Sequence, residues 1–270
     1  MTQNNELTSN WWGEFYFDDN HNKEWQIGPL TLLVQRSGNT WHIAYESIND
    51  PDEGDTLYSV TAHGALPASL EENSRFVLPD DDGLLTIRPL LADRPIISRP
   101  FTPFSLAAGA AVTLYISSLL WVELSVGTEH KKTLISIPIL RPSDTWFGSS
   151  TMDGELCYAS NTHCRMHLSE LLPRPHRAIT PVCIHNKADS TLLVERLNLP
   201  VPMLHLYQST VSGQLWTPSV KLVREKAGEI AKLEVNHKAP PEAVESILLN
   251  TPRLYPNHNV LFRAFNAVFN

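Results

Sequence analysis

The chain has no cluster of lysine and arginine, no apolar run suited to a bilayer, and only three cysteines in 270 residues. A formal charge of -8 and a pI near 5.7 argue against a nucleic-acid partner, because neutralising phosphates takes grouped cationic side chains. The same shortage disfavours an acidic lipid surface. The longest apolar stretch, 106–126, is broken by Gly109, Thr113, Ser117, Ser118, Glu123 and Ser125, a pattern of strands rather than of a lipid-facing helix. No direct membrane insertion is therefore expected. Residues 1–10 are polar and carry no basic flank ahead of an apolar core, so no secretory signal is read there. Cys157, Cys164 and Cys183 are an odd set, expected to be reduced thiols in a cytoplasmic protein.

Familiar catalytic strings are also missing: no G-x-S-x-G, no phosphate-binding Walker loop, no G-x-G-x-x-G and no H-E-x-x-H. No residue is assigned a catalytic role and no cofactor is expected. Long helices are disfavoured by twenty scattered prolines, each costing about 3 kcal/mol inside a helix.

What is present is a chain 42% hydrophobic and 19% charged, ordinary for a folded globular protein. Leu30, Leu32 and Val34 alternate, Ser37-Gly38-Asn39 turns the chain, and Trp41, Ile43 and Tyr45 resume the alternation, which predicts a hairpin. A second hairpin is expected across Asp80-Asp81-Asp82-Gly83, with 75–78 facing 84–88. Proline-bounded strands follow to residue 142, and the second half repeats the style from 178 to 223. The fold expected is all-β: two β-sandwich-like regions packed together, 1–145 and 146–270, with a short C-terminal α-helix. That helix is suggested by Leu261, Phe262, Phe265, Val268 and Phe269 at three- and four-residue spacings, capped by Asn257 or Asn259. A weaker helical pattern covers 241–250. Phe262, Phe265 and Phe269 form a face that must be covered, either by the chain itself or by another subunit or protein.

The densest polar and aromatic segments are 141–148 and 154–160. Asp144 could cap a turn or orient a partner, Trp146 could wall a pocket, and Glu155 could act as acid or base if desolvated. The structural reading of the same residues is an Asx turn and a core Trp-Phe pair. Cys157 is close in sequence to several histidines without a motif that makes it reactive. Cys157, His163, Cys164, His167, Cys183 and His185 are suitable zinc ligands by type, yet a strand over 162–168 would hold His163 and His167 about 13 Å apart, and no metal is assigned. Asp50, Asp52, Glu53 and Asp55 around Gly54 read as a solvated acidic loop. Arg174, His176, Arg177 and Arg196 could receive a carboxylate or phosphate, or could be surface charges beside a strand.

At Pro142-Ser143-Asp144-Thr145-Trp146-Phe147-Gly148, at 154–160 and at Glu195-Arg196-Leu197-Asn198-Leu199-Pro200-Val201-Pro202 the sequence resembles the prokaryotic family of unknown function DUF432. The likeness runs nearly the full length, through Leu114-Tyr115-Ile116-Ser117 to Arg263-Ala264-Phe265. The family supplies no activity and no catalytic residues. Its members often accompany small-conductance mechanosensitive channels, so the resemblance implies a channel-associated role. Two functions are thus expected: an accessory or interaction protein whose partner is a second copy or a membrane channel, or a small-ligand binder or hydrolase-type enzyme. The second would use a pocket built from Asp144, Trp146, Glu155, Cys157, His176 and Arg177.

Overall fold

The computed structural model describes residues 10–48, 58–63, 74–79, 81–148, 150, 152–227, 230–255 and 261–265. Among these the chain is all-β, its only helical turns being two three-residue 3₁₀ segments, Leu168–Glu170 and Val201–Met203. It divides into two compact units, one formed by Met1–Pro89 with Trp121–Leu140 and the other by Leu90–Leu120 with Arg141–Asn270. Strand pairing is the reason: the hairpin beginning at Trp121 joins the sheet of the first unit, so the chain returns there before finishing the second.

In the first unit, β1 (Gly13–Tyr16), β2 (Asn22–Ile27), β3 (Leu30–Ser37), β4 (Thr40–Ser47), β5 (Tyr58–His63), β6 (Ser74–Val77) and β7 (Leu84–Leu90) follow in order. The predicted β3–β4 hairpin is present, closing at Ser37↔Thr40 with Gly38 at φ 58, a left-handed conformation that glycine adopts without a Cβ clash. Five strands form an antiparallel sheet in the order β5-β2-β3-β4-β6. The second expected hairpin does not form. β6 pairs with β4, whereas β7 pairs with β1 in a different sheet, so residues 78–83 carry the chain across. The polar turn residues that suggested a reversal instead anchor this crossing. Asp81, only 2% exposed at its side chain, pairs with Arg36, whose Nη1 also donates to the Phe17 carbonyl at 3.2 Å. Phe17 N donates to the Gly83 carbonyl at 2.9 Å. A Cβ at Gly83 would lie 2.7 Å from the Phe17 oxygen, which only glycine avoids. Aromatic packing joins the layers, with Phe15 edge-on to Trp25 at 5.1 Å and Phe17 edge-on to Trp41 at 5.2 Å.

The second unit opens with β8 (Ile96–Pro100), β9 (Phe104–Leu106) and β10 (Ala111–Leu119); β11 (Trp121–Val126) and β12 (Lys132–Pro138) then complete the first unit's four-stranded sheet, β1-β7-β11-β12. The chain continues through β13 (Asp144–Gly148), β14 (Gly154–Cys164), β15 (Arg177–Asn186), β16 (Leu192–Val194), β17 (Leu197–Leu199), β18 (Leu206–Ser209), β19 (Leu215–Trp216), β20 (Val220–Arg224), β21 (Ile230–Val235), β22 (Ser246–Asn250) and β23 (Leu261–Arg263). β15 is the buried centre of an eight-stranded sheet, pairing antiparallel with β10 and parallel with β19 and β20. Its nearly continuous apolar run, Ala178 to Ile184, suits a strand covered on both faces. A four-stranded sheet, β13-β14-β8-β17, and the β9–β16 ribbon complete the unit.

The expected C-terminal helix is corrected to a strand where the chain is described. β23 pairs antiparallel with β21, and Phe265 forms a bridge with Leu197. Pairing with distant backbone outweighs the local helical spacing, and it buries Phe262 to 6% and Phe265 to 1% exposure within this chain. Those two side chains are therefore not offered to a partner. Phe269, Asn257, Asn259 and the acidic loop at 50–55 lie outside the described residues. The weak helical pattern at 241–250 is likewise a turn followed by β22, which pairs with β18.

Removing one member of a buried ion pair strands the other charge and costs about 3–5 kcal/mol, whereas replacing both by apolar groups costs less. Asp81→Ala should lower the urea unfolding free energy by roughly 3 kcal/mol, and Asp81→Ala with Arg36→Met should recover part of that loss. Additive losses in this cycle would show that the pair does not couple the crossing to β3.

Candidate functional site

The segments singled out by composition meet in one hairpin. β13 and β14 pair antiparallel with Asp144↔Tyr158, Thr145↔Cys157, Trp146↔Leu156, Phe147↔Glu155 and Gly148↔Gly154. Successive strand residues point to opposite faces, so Asp144, Trp146, Leu156 and Tyr158 share one face while Thr145, Phe147, Glu155 and Cys157 share the other. The pocket expected from Asp144, Trp146 and Glu155 together is not formed, because the sheet itself separates them.

On the first face, Asp144 is held between two guanidinium groups, Arg94 at 3.0 Å and Arg141 at 3.0 Å. The hydrogen bond from Arg141 to Asp144, reinforced by their opposite charges, raises the arginine's pKa. Tyr158 donates to Asp93 at 3.0 Å beneath Arg94, which stacks 5.3 Å from its ring. Burial first, then the Asp93 carboxylate, push the Tyr158 phenol up. Asp144 is thus paired with both guanidinium groups. Next to it, Trp146 is 44% exposed and its neighbour Leu156 45%, so the tryptophan is not the core residue its sequence context suggested. Trp146 Nε1 donates to the Ser150 carbonyl at 2.8 Å. Glycine is required beneath the ring: a Cβ at Gly154 would lie 2.7 Å from the indole and from the Phe147 carbonyl.

On the second face, Phe147 and Cys157 are sealed against Ile97 of β8. Burial, with a further contribution from the Glu155 charge, pushes the Cys157 thiol up to about 12. A nucleophilic thiolate is not available at such a position. Glu155 accepts a 2.6 Å hydrogen bond from Asn198 Nδ2, which also donates to the Arg263 carbonyl at 3.1 Å and so ties β14, β17 and β23 together. Phe147, Asp153, Glu155, Ile230 and Arg263 border a hollow of about 260 Å³, where Arg263 pairs with Asp153 at 2.6 Å.

His176 and Arg177 belong to the other sheet of this unit. Both are buried, at 0% and 4% exposure, at the start of β15, where the His176 carbonyl accepts from Leu120 N and Arg177 Nη1 donates to the Ser117 carbonyl. They are neither surface charges nor neighbours of Asp144 on its sheet. Among the described residues no three His, Cys, Asp or Glu side chains converge as metal ligands. β14 ends at Cys164, leaving His167 beyond the strand, and His163 packs edge-on against Phe101 at 5.6 Å.

Sequence reasoning missed Arg99. With Arg196, Thr145 and His163 it lines a concavity of about 320 Å³ at the open end of the second face. Burial, then the charge of Arg99, hold the Arg196 guanidinium below the usual arginine range. No local signal marks Arg99, since only strand register brings it to Arg196. In the first unit a wider hollow of about 560 Å³ is bordered by Asp81, Asp82, Thr128 and His130. Its carboxylates are committed: Asp81 to Arg36, and Asp82 to the backbone N–H groups of Leu84 and Thr128.

A family model described as protein of unknown function, DUF432, matches residues 11–270. No curated protein and no solved structure matches the chain.

Two predictions follow from the hairpin. Gly154→Ala should displace the Trp146 indole, shifting its N–H resonance and costing about 1–3 kcal/mol through overpacking; an unmoved indole resonance would contradict the close approach. With a thiol pKa near 12, the thiolate fraction at pH 8 is on the order of one in ten thousand. Iodoacetamide should therefore modify half-buried Cys183 in the native protein while sparing Cys157 until the chain is denatured, and rapid native alkylation of Cys157 would refute its burial.

Proposed function

We propose that this chain, which belongs to the DUF432 family, works in the cytoplasm as an accessory protein that engages a protein partner through the exposed face of the β13–β14 hairpin. The observation that carries this reading is the cross-strand Trp146–Leu156 pair, two large apolar side chains roughly half exposed on a hairpin that two glycines hold tight. A rigid aromatic anchor with an apolar neighbour and a polar rim, here Arg94, Arg141 and Asp144, has the anatomy of an interaction hot spot. A membrane channel is the partner that the family resemblance supplies. None of the helices in the described residues is long and apolar enough to cross a membrane, and the reading places the contact outside the bilayer. The hydrolase reading draws no support from this geometry, since Asp144 is neutralised by two arginines, Glu155 faces the other way onto Asn198, and the Cys157 thiol is sealed.

The test is affinity purification of the tagged full chain from detergent-solubilised cells, beside Trp146→Ser/Leu156→Ser. Both side chains are substantially exposed, so the variant should keep the native melting temperature within a few degrees. Recovery of a mechanosensitive-type channel with the native chain, lost from the folded variant, is the expected result. A channel retained by the variant would remove the hairpin from the contact, and a concentration-dependent dimer abolished by the same substitutions would assign the face to a second copy instead.

A further inference from the structure

The second unit's four-stranded sheet has a register irregularity between β14 and β8, and it creates a site that the accessory role does not use. β14 and β8 run parallel with Tyr158↔Ile96 and Ala159↔Ile97, but the next partners are His163↔Arg99, four residues further on β14 against two on β8. The extra residues form a bulge. Its own hydrogen bonds fix it: Ser160 Oγ donates to the Thr162 carbonyl at 3.0 Å, and Thr162 Oγ1 donates to the Ser117 carbonyl at 3.0 Å. Bulges re-aim side chains and occur beside functional sites.

On the other side of β8, β17 is antiparallel with Asn198↔Ile97 and Leu197↔Ser98. Continuing that register by one residue sets Arg196 opposite Arg99. Arg196, Arg99 and His163 therefore form a row across three adjacent strands, on the face shared by Ile97 and Asn198. Like charges directly opposite each other in a sheet are destabilising unless something neutralises them. Among the described residues neither guanidinium has a carboxylate partner, although the protein as a whole carries an excess of acidic groups. Arg196 lies 5.4 Å from the Phe147 ring, donates weakly to the Trp146 carbonyl at 3.5 Å, and leaves its buried Nε without a hydrogen-bond acceptor. Thr145 adds a hydroxyl to the same concavity of about 320 Å³, which Ile97 and Ala159 also line.

We propose that Arg196, Arg99 and His163 form a binding site for the phosphoryl group of a small soluble ligand, with Thr145 as an additional donor. Two unpaired cations suit a dianion better than a single carboxylate, which one arginine fork can satisfy. The concavity has the volume of a small-molecule pocket, and its lining mixes the basic groups with hydroxyls and with Ile97 and Ala159. This inference stands independently of the partner contact, which uses the opposite face of the hairpin.

Titrating the isotope-labelled full chain with inorganic phosphate, in phosphate-free buffer at constant ionic strength, tests it. Saturable shifts are expected at the amides of Ile97, Arg99, His163 and Arg196, with acetate binding at least tenfold more weakly. Arg99→Gln changes an exposed side chain and should preserve the fold while weakening phosphate binding about tenfold or more, equivalent to losing one good charged contact. Arg196→Gln should do the same, and Lys221→Gln, an exposed change on β20 of another sheet, should leave binding unchanged. Absent saturation, equal affinity for acetate, or unchanged affinity in folded Arg99→Gln would overturn the proposal. So would binding to phosphatidylglycerol vesicles without binding of free phosphate, which would assign the row to a lipid surface.

Discussion

The two-residue pleat of β14 is the constraint on which the functional geometry rests. Once Thr145 is paired with Cys157 and Trp146 with Leu156, every side chain of the hairpin is assigned to one face or the other. The assignment separates residues that are adjacent in sequence and joins others far apart. Asp144 and Trp146 go to one side with Tyr158, while Glu155 and Cys157 go to the other and meet Ile97 and Asn198. A single-residue slip would exchange the faces, exposing Phe147 and Cys157 and burying Asp144 between its two arginines. Burying those charges while exposing a phenylalanine is unfavourable on both counts, so the register is strongly specified.

Against that regular background the bulge between Ala159 and His163 stands out. A uniform strand would continue the pairing with Asn161 opposite Arg99, whereas the extra residues bring His163 there instead. Ser160 bonds the nearby Thr162 carbonyl, as short polar side chains do in turns, and Thr162 reaches across to the Ser117 carbonyl of β10, so the irregular backbone is held from both sides. The Arg196 side runs without such a break: β17 begins directly after it and keeps Leu197 and Asn198 in antiparallel register with β8. The resulting row of basic groups lies in a protein whose other described arginines commonly find carboxylates, as Arg36 does with Asp81 and Arg263 with Asp153.

Much of the β architecture was legible because it is local. Gly38 and the alternation on either side fixed the β3–β4 hairpin, and the prolines excluded long helices. Two of the failures lie where a distant partner outweighs a local pattern. Asp80 to Gly83 carries turn chemistry, yet β6 and β7 go to different sheets because Asp81 finds Arg36 and Gly83 meets Phe17. The phenylalanines near the end have helical spacing, yet backbone pairing with β21 and a bridge to Leu197 draw residues 261–265 into strand geometry. The site was half legible for the same reason. Arg196 was visible as a candidate anion ligand, but its expected companions, His176 and Arg177, are buried in another sheet. Arg99, its actual neighbour, carries no sign in the local sequence. The family match covers nearly the whole chain and adds identity without chemistry, which leaves the two faces of this hairpin as the guide to function.

The most direct test of this account is the register of β14 against β8 in solution, read from cross-strand nuclear Overhauser contacts in the deuterated, amide-labelled chain. Contacts linking Ala159 with Ile97 and His163 with Arg99 are predicted, with residues 160–162 looped out between them. Continuous pairing that placed Asn161 opposite Arg99 would contradict the bulge, and with it the row of Arg196, Arg99 and His163.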